Sequence, residues 1–215
     1  MRLGPARPRS FYARDTERVA RELLGAVLVS EVGGRRCAGR IVETEAYVGE
    51  HDGACHAAAG LTPRTAPLYG PPGTAYVYLI YGMHWCFNAV TRPVGKPGAV
   101  LVRALEPLEG ADVMLGRRGH VRRLPELANG PGKLCEALDI GSARNSFPLN
   151  RGELRIHRGT LVDDGSVRVT PRIGVSRAAD WPLRYLVAGS EFVSRTPRSF
   201  PVWNWGEQPD AERRW

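Results

Sequence analysis

Long apolar segments are missing from this 215-residue sequence. It has no run of about 18 apolar residues, the length at which a segment becomes a candidate membrane-spanning helix. Its beginning, MRLGPARPRSFY, is basic but lacks the apolar stretch of a secretion signal. We therefore expect a protein that is not inserted in a membrane and that acts inside the cell.

Cysteine is scarce, and its few positions are scattered. The four cysteines are Cys37, Cys55, Cys86 and Cys135, and none of them forms a Cys-x-x-Cys pair. Disulfide frameworks and cysteine-based zinc sites both depend on grouped cysteines with characteristic spacings. The sequence favours neither kind of site, and it fits a reducing, intracellular compartment.

Lysine is rarer still: the sequence contains only Lys96 and Lys133. Any reaction through a side-chain amine therefore has two candidates. The net charge is nevertheless +8, since arginine supplies almost all of the positive charge. Such an excess attracts polyanions such as nucleic acids, but a diffuse charge that only keeps a protein in solution gives the same number. The charge by itself leaves both interpretations open.

The hydrophobic pattern predicts one mixed α+β domain. The segment DTERVARELLG is typical of a helix capped by Asp15, and RCAGRIVETEAYV and TAYVYLIYGMHWCFNAVT are typical of strands. A loop rich in glycine, alanine and proline covers 51–73, and LPELANGPGKLCEALDI is predicted as a helix with Pro125 in its first turn. We expect a flexible N-terminus over 1–10, the domain over 11–195 and a tryptophan-containing tail over 196–215.

Two carboxylates share one face of the strand GRIVETEAYV. Because successive side chains alternate along a strand, Ile41, Glu43, Glu45 and Tyr47 are predicted on one face, with small and mostly apolar residues on the other. One interpretation is an edge strand with a solvated acidic face. The other is a carboxylate base that faces a pocket and orients a water, with the second acid as a supporting or rim charge.

A tyrosine-rich segment, GTAYVYLIYGM, follows the long loop. Tyr76 and Tyr78 share a face, which ordinary strand packing also explains. Tyr81 precedes Gly82 where the strand pattern breaks, so we expect its ring to protrude at the tip of a hairpin. A protruding ring leaves apolar area in water unless a partner such as a stacked base covers it.

Three more polar groups have both structural and functional interpretations. Arg103 lies in the apolar segment GAVLVRALEPL, where it either pairs with a strand carboxylate or extends to the surface. Asn88 in CFNAV needs hydrogen-bond partners among apolar neighbours. Lys133 follows the glycines of NGPGKLCEAL, which cap a helix or contact a phosphate; the spacing is not that of a Walker loop.

Five segments in order carry a resemblance to a known family. They are GRIVETEAYVGEHDGACH, GTAYVYLIYGMHWCFN, VLVRALEPLEG, GPGKLCEAL and RIGV…PLRYLVAGS. They resemble the mammalian-type alkyladenine (3-methyladenine) DNA glycosylases over about Asp15 to Ser194. The resemblance implies a curved, antiparallel-rich sheet with flanking helices and a protruding β-hairpin. It also implies a monomer that acts on damaged purines in double-stranded DNA without metal or cofactor.

The resemblance assigns a role to individual positions. Glu45 matches the general base, and Arg103 and the carbonyl of Ile173 match groups that help to hold its water. The pocket for the extruded base corresponds to Tyr47, His56 and Tyr78, with Asn88 limiting which purines fit. Tyr81, beside Gly82 and Met83, matches the residue that fills the gap in the base stack. Lys133 is predicted as a DNA contact from its place at the glycine-rich start of a helix.

The sequence departs from the family pattern at His84 and Trp85, where other aromatic residues are expected. The loop after His56 is about one residue shorter, and the tryptophan-bearing tail has no counterpart. Neither lysine lies in the pocket motifs, so the resemblance predicts a monofunctional enzyme that leaves the backbone intact, since backbone cleavage proceeds through a Schiff base on an amine.

Two other classes of function remain as alternatives. One is a non-catalytic module that binds damaged nucleic acid through Tyr81 and its basic surface. The other is a metal hydrolase built on Glu43, Glu45, His51 and His56, although their spacings match neither a His-Glu-x-x-His helix nor an EF-hand loop.

Overall fold

The computed structural model describes residues 3–209, which form four α-helices and nine β-strands. The helices are α1 (Arg9–Tyr12), α2 (Thr16–Leu23), α3 (Ala111–Arg117) and α4 (Pro131–Leu138). The strands are β1 (Val27–Ser30), β2 (Cys37–Tyr47), β3 (Ala75–Ile80), β4 (His84–Val90), β5 (Ala99–Glu109), β6 (Leu154–His157), β7 (Val167–Thr170), β8 (Arg184–Val187) and β9 (Trp203–Asn204). No helix within 3–209 is long and apolar enough to span a membrane.

One antiparallel sheet organises the domain, which confirms the predicted α+β class. Its strand order is β3-β4-β5-β2-β8-β7-β9, and β1 pairs with β2 and with β6. The longest pairing joins β2 to β5, and β8 lies against β2 at Glu43, Thr44 and Glu45. The two acids therefore lie on a central strand, and the edge-strand interpretation is wrong.

A β-bulge in β2 changes which side chains share a face. Ile41 pairs with Leu105 and Glu43 pairs with Ala104, so the residue between them has no opposite partner in β5. An extra residue in one strand reverses the alternation beyond it. Ile41 consequently packs in the main core with Ala46, and its predicted place on the face of Glu43 and Glu45 is wrong.

The helix α2 covers the core side of the sheet. Asp15 accepts hydrogen bonds from the amides of Glu17 and Arg18, so it caps the helix as predicted. Val19 and Leu23 are fully buried on the inner face of the helix. The capped helix therefore packs against the carboxylate strand β2.

The hairpin formed by β3 and β4 protrudes, as the sequence predicts. Tyr81 and Gly82 both have positive φ angles, 54° and 69°, and the amide of Met83 donates to the carbonyl of Ile80. Two consecutive left-handed residues form the tight turn that matches strand twist, and glycine is suited to one of them. Tyr81 is 79% exposed at this tip.

Two predicted segments differ in detail from the structure. Pro125 lies in a 3-10 turn, and the helix begins later, with Pro131 in its first turn. The long loop is also not featureless, because 3-10 turns form at His56–Ala59 and Ala66–Tyr69. Gly130 has extended, non-helical φ and ψ angles and directly precedes Pro131, and a residue before proline disfavours the helical conformation, so the helix starts only at Pro131.

Both terminal segments make contacts with the domain where the structure describes them. Ala6 forms a bridge with His157. Trp203 pairs with Val169, and Trp205 packs against Tyr185 at a ring separation of 5.5 Å. Residues 1–2 and 210–215 of the predicted termini lie outside the described residues.

Candidate active site

A cavity of about 640 Å³ lies where the hairpin, the long loop and the end of β2 meet. We call it the tyrosine cavity, because Tyr47, Tyr76 and Tyr78 line it, together with His56 and Asn88. Small-molecule sites in proteins are commonly concave, roughly 300–1,000 Å³ in volume, and mostly apolar with a few polar groups. The structure thus brings residues from β2, β3, β4 and the loop into one site.

Glu45 lies directly beneath the wall of this cavity and is fully buried. Its Oε2 accepts hydrogen bonds from the Tyr47 hydroxyl at 2.9 Å and from Nη1 of Arg103 at 3.2 Å. Its Oε1 accepts one from the amide of Ile173 at 2.8 Å. These three partners line the cavity, so the carboxylate lies next to it. Ile173 contacts the acid through its N–H, a contact that the sequence did not predict.

Arg103 joins the two carboxylates of β2. Its Nε donates to Oε1 of Glu43 at 3.0 Å, while Nη1 donates to Glu45. Burial opposes its charge, but the two acids more than offset this and raise the pKa of Arg103. The pairing interpretation is therefore confirmed, and the alternative in which Arg103 extends to the surface is wrong.

Glu43 has a second set of partners besides Arg103. Its Oε1 accepts from Nε of Arg184 at 2.7 Å and from the Ser194 hydroxyl at 2.6 Å, and the Ser194 amide donates to Oε2. Burial alone would raise the pKa of Glu43, but Arg184 and Arg103 outweigh it and the pKa is lowered. Glu43 is completely buried, so it supports Arg103 and is not a rim charge.

Aromatic rings form one wall of the cavity. The rings of His56 and Tyr78 are 4.5 Å apart, those of Tyr76 and Tyr78 are 5.3 Å apart, and Nδ1 of His56 is 2.8 Å from the Tyr76 hydroxyl. Burial, with a smaller contribution from Arg64, lowers the pKa of His56, so the imidazole is neutral at pH 7. Burial raises the pKa of Tyr78, so its phenol is also neutral. The wall is uncharged and rich in π-electrons.

Asn88 lies on the neighbouring strand and is almost fully buried. Its Nδ2 donates to the carbonyl of Tyr76 at 3.0 Å, which supplies the partner that a buried amide needs. Asn88 also lines the cavity, opposite Leu101 of β5 in the strand register. It is therefore placed to contact whatever occupies the cavity.

The cavity opens between the hairpin tip and the start of α4. Tyr81 lines this opening, and so does Lys133, whose Nζ donates to Oδ1 of Asn129 at 2.7 Å. Lys133 therefore lies at the cavity although it is outside the sequence motifs that supply the pocket residues. The chain from 130 to 133 lies against the hairpin, where Gly132 is close to His84. This contact joins segments that are distant in the sequence, so it depends on the tertiary structure.

The metal-site alternative finds no support in the geometry of residues 3–209. In that part of the chain no three histidine, cysteine, aspartate or glutamate side chains lie close enough to hold a metal ion. Glu43 and Glu45 bind arginines. The two acids and His56 are joined through tyrosines and arginines, which are not the ligands of such a site.

Several residues of the site carried no assignment from sequence. Arg184 supports Glu43, and a buried pair of Asp52 and Arg172 lies behind Tyr47. The signal available for Arg184 was the same as for Arg103, an arginine within an apolar segment, here PLRYLV. Asp52 lies in a loop, where periodicity carries no information.

Comparison with known proteins identifies a family. The family model for methylpurine-DNA glycosylases matches residues 10–191. A relative from Myxococcus xanthus is 54% identical over 193 residues, which is 88% of this chain and 94% of the relative. Relatives from Koribacter versatilis and Methanocella arvoryzae are each 50% identical, over 87% and 84% of this chain and 92% and 90% of their own lengths. All three bear the name "Putative 3-methyladenine DNA glycosylase".

The chain belongs to the methylpurine-DNA glycosylase family. This membership confirms the resemblance drawn from the five sequence segments. The matched region of the glycosylase family contains every residue named above as lining the tyrosine cavity. It ends before β9, the strand that carries Trp203.

Proposed function

We propose that this protein is a monofunctional DNA glycosylase that removes alkylated purines from double-stranded DNA. The observation that carries the proposal is the position of Glu45, a buried carboxylate directly beneath a cavity walled by tyrosines. Family membership supports the same reaction class. We extend the proposal to a monomer that needs no metal or cofactor.

The substrate base enters the cavity after rotation out of the duplex. A stacked base hides its glycosidic bond, so enzymes that act on bases extrude the nucleotide. Tyr81 is exposed at the hairpin tip and fills the vacated space, which offsets part of the unstacking cost of a few kcal/mol. The basic surface attracts the phosphate backbone.

The aromatic wall selects for alkylated purines. Alkylation on a ring nitrogen gives the base a positive charge, and electron-rich rings bind cations about 0.5–2 kcal/mol more favourably than neutral groups. Tyr47 and Tyr78 supply such rings, and the neutral His56 adds no opposing charge. Asn88 limits the purine substituents that fit beside Tyr76.

Glu45 activates the attacking water. A carboxylate offers about four acceptor positions, and Tyr47, Arg103 and Ile173 occupy three of them. The fourth accepts a proton from water as its oxygen bonds to the anomeric carbon. The bond from that carbon to the base breaks, and its electron pair neutralises the departing purine. The negative charge of Glu45 also stabilises the developing positive charge on the sugar.

We propose that the enzyme does not cleave the DNA backbone. Cleavage through a Schiff base requires a nucleophilic amine, and Lys133 is the lysine that lines the cavity. Its Nζ is engaged with Asn129 at the start of α4, where an ammonium serves as a phosphate contact. Borohydride is therefore expected to trap no covalent adduct between enzyme and lesion DNA. A trapped adduct that disappears in Lys133→Gln would establish a lyase activity.

The test of the proposed function is base release from defined duplexes. Duplexes with one 7-methylguanine, ethenoadenine or hypoxanthine are incubated with enzyme and chelator, and free base and abasic sites are measured. We expect release of 7-methylguanine, and in Glu45→Gln a loss of about 1,000-fold or more with lesion binding retained. Near-normal release by Glu45→Gln would remove Glu45 from the mechanism. Tight lesion binding without any release would indicate a binding module.

A further inference from the structure

A buried ion pair lies behind the wall of the tyrosine cavity. Arg172 and Asp52 have fully buried side chains and form two parallel contacts, from Nη1 to Oδ2 at 2.5 Å and from Nη2 to Oδ1 at 2.8 Å. Neither residue is among those that line the cavity. Burying two charges is costly, and replacing a buried pair by apolar residues is often neutral or stabilising, so stability alone is a weak reason for its presence.

Asp52 holds the loop that leaves β2. Its Oδ2 accepts from the amide of Val48 at 3.1 Å, and Oδ1 accepts from the amide of Ala54 at 3.0 Å. Ala54 lines the cavity, followed by Cys55 and His56. The carboxylate of Asp52 therefore sets the path by which the chain reaches His56.

Arg172 lies next to both backbone segments that supply hydrogen-bond donors to Glu45. Its guanidinium carbon lies 4.8 Å from the centre of the Tyr47 ring, and Nη1 donates to the carbonyl of Ala46 at 3.0 Å. Tyr47 lines the cavity and Arg172 does not, so the guanidinium supports the ring from behind. The residue after Arg172 is Ile173, whose amide binds Oε1 of Glu45, while the Tyr47 hydroxyl binds Oε2.

We propose that the Asp52–Arg172 pair is a positioning unit for the proposed glycosylase reaction. It holds the Tyr47 ring and the Ile173 amide so that both donors remain on Glu45 and the fourth acceptor position faces the substrate sugar. This inference rests on the proposed function of Glu45. Arg172 and Asp52 act through other residues and contact no substrate.

The first experiment separates positioning from folding and from DNA binding. Arg172→Lys keeps the charge but not the paired contacts, and Arg172→Met removes both. Because a misplacement of about 1 Å can cost roughly 100-fold in rate, we expect single-turnover release of 7-methylguanine to fall by about 30- to 100-fold. The Kd for a duplex with a pyrrolidine abasic analogue, which places no base in the cavity, is expected to change less than about threefold.

The chain offers a matched control at a distance from the cavity. Arg21 is also a buried arginine, pairs with Asp164 at 2.6 Å, and lies 5.9 Å from the ring of Trp205. Arg21→Met also removes an arginine–aspartate pair and a ring contact, in this case with an exposed aspartate, and it touches no cavity residue. It is expected to lower the melting temperature and to leave the release rate within about twofold of wild type. An equal loss of rate in Arg21→Met would overturn the positioning role.

A double-mutant cycle tests whether Arg172 acts through Tyr47. In Tyr47→Phe the hydroxyl that Arg172 helps to position is gone, so Arg172→Lys is expected to cost less in that background than in wild type. Contacting residues commonly show such non-additivity. Strictly multiplicative losses would show that Arg172 does not work through the Tyr47 hydroxyl, and would overturn the part of the proposal that concerns Tyr47.

A spectroscopic measurement keeps this inference separate from the proposed function. In protein with ¹³C-labelled tyrosine, the Tyr47 signal is assigned by its disappearance in Tyr47→Phe. We expect that signal to shift in Arg172→Lys and in Asp52→Asn, and to stay in place in Arg21→Met. This result supports the positioning unit even if the wild-type protein releases no base, in which case only the proposed function fails. An unmoved Tyr47 signal in both variants would overturn it.

Discussion

The hydroxyl of Tyr47 donates a 2.9 Å hydrogen bond to Oε2 of Glu45, two residues earlier on the same strand. Side chains at this spacing point to the same face of a strand, so local geometry alone brings the two groups together. Tyr47 is at once a wall of the cavity and a donor to the buried acid. In the proposed reaction, base binding and water activation therefore meet in one side chain.

Substitutions of Tyr47 separate these two roles. Tyr47→Phe keeps the ring but removes the donor, and we expect excision of 7-methylguanine to slow by about 5- to 20-fold, as for loss of a hydrogen bond to a charged group of about 1.5 kcal/mol. Tyr47→Ala also loses the ring, so lesion affinity should fall further by about 10-fold. Single-turnover rates and lesion Kd values distinguish the two effects. Equal behaviour of both variants would assign no separate role to the ring.

The free energy of unfolding is expected to depend on pH through Glu43. The pKa of Glu43 is below the ordinary value of 4.5, because Arg184 and Arg103 outweigh the effect of burial. Its contribution to the free energy of unfolding is therefore complete above pH 4.5. That contribution is lost as the pH falls through the folded-state pKa. Glu43→Gln should cost about 3–5 kcal/mol at pH 7, since two buried arginines lose a partner.

Urea denaturation of wild type and Glu43→Gln at pH 7 and below pH 4.5 checks this prediction. The difference between the two proteins should narrow on acidification, because wild type then loses the charge that the variant already lacks. A gap that stays constant with pH would mean that Glu43 does not titrate over this range.

His56 is one of the titratable groups that line the cavity. Burial lowers its pKa from the ordinary 6.5, so the unfolded chain takes up the proton first and the free energy of unfolding decreases as the pH falls below 6.5. His56→Gln lacks this proton uptake, and its stability should decline less between pH 7 and pH 5. Denaturation curves at the two pH values measure the difference. A steeper decline in the variant would contradict the predicted sign.

The hairpin tip should affect DNA binding without affecting the fold. Tyr81 is exposed, so Tyr81→Ala is expected to change the free energy of unfolding by less than about 0.5 kcal/mol. Loss of a stacking ring worth roughly 1–3 kcal/mol should weaken lesion-duplex binding by about 5- to 100-fold. Leu161→Ala, at another exposed apolar residue outside the cavity, is the control. Similar losses of affinity in both variants would deny Tyr81 a specific role.

Local sequence patterns predicted most helices and strands well. They failed where a backbone irregularity or a long-range contact determines the position of a residue or the start of an element. Asp15 marks the start of α2, and the turn at Gly82 marks the hairpin, because caps and turns depend on a few adjacent residues. The bulge that moves Ile41 into the core depends on pairing with β5. The later start of α4 follows from the non-helical Gly130 in front of Pro131.

The amino-acid sequence by itself determined the α+β class, the carboxylate strand with Glu45 and Tyr47, and the family. It did so because side-chain alternation and short motifs are local properties. Only the tertiary structure decided that Arg103 joins Glu43 to Glu45, and that Asp52 meets Arg172 behind Tyr47. Those contacts join residues 58 to 120 positions apart, and buried charges find partners at such separations only when the sheet and its loops are assembled.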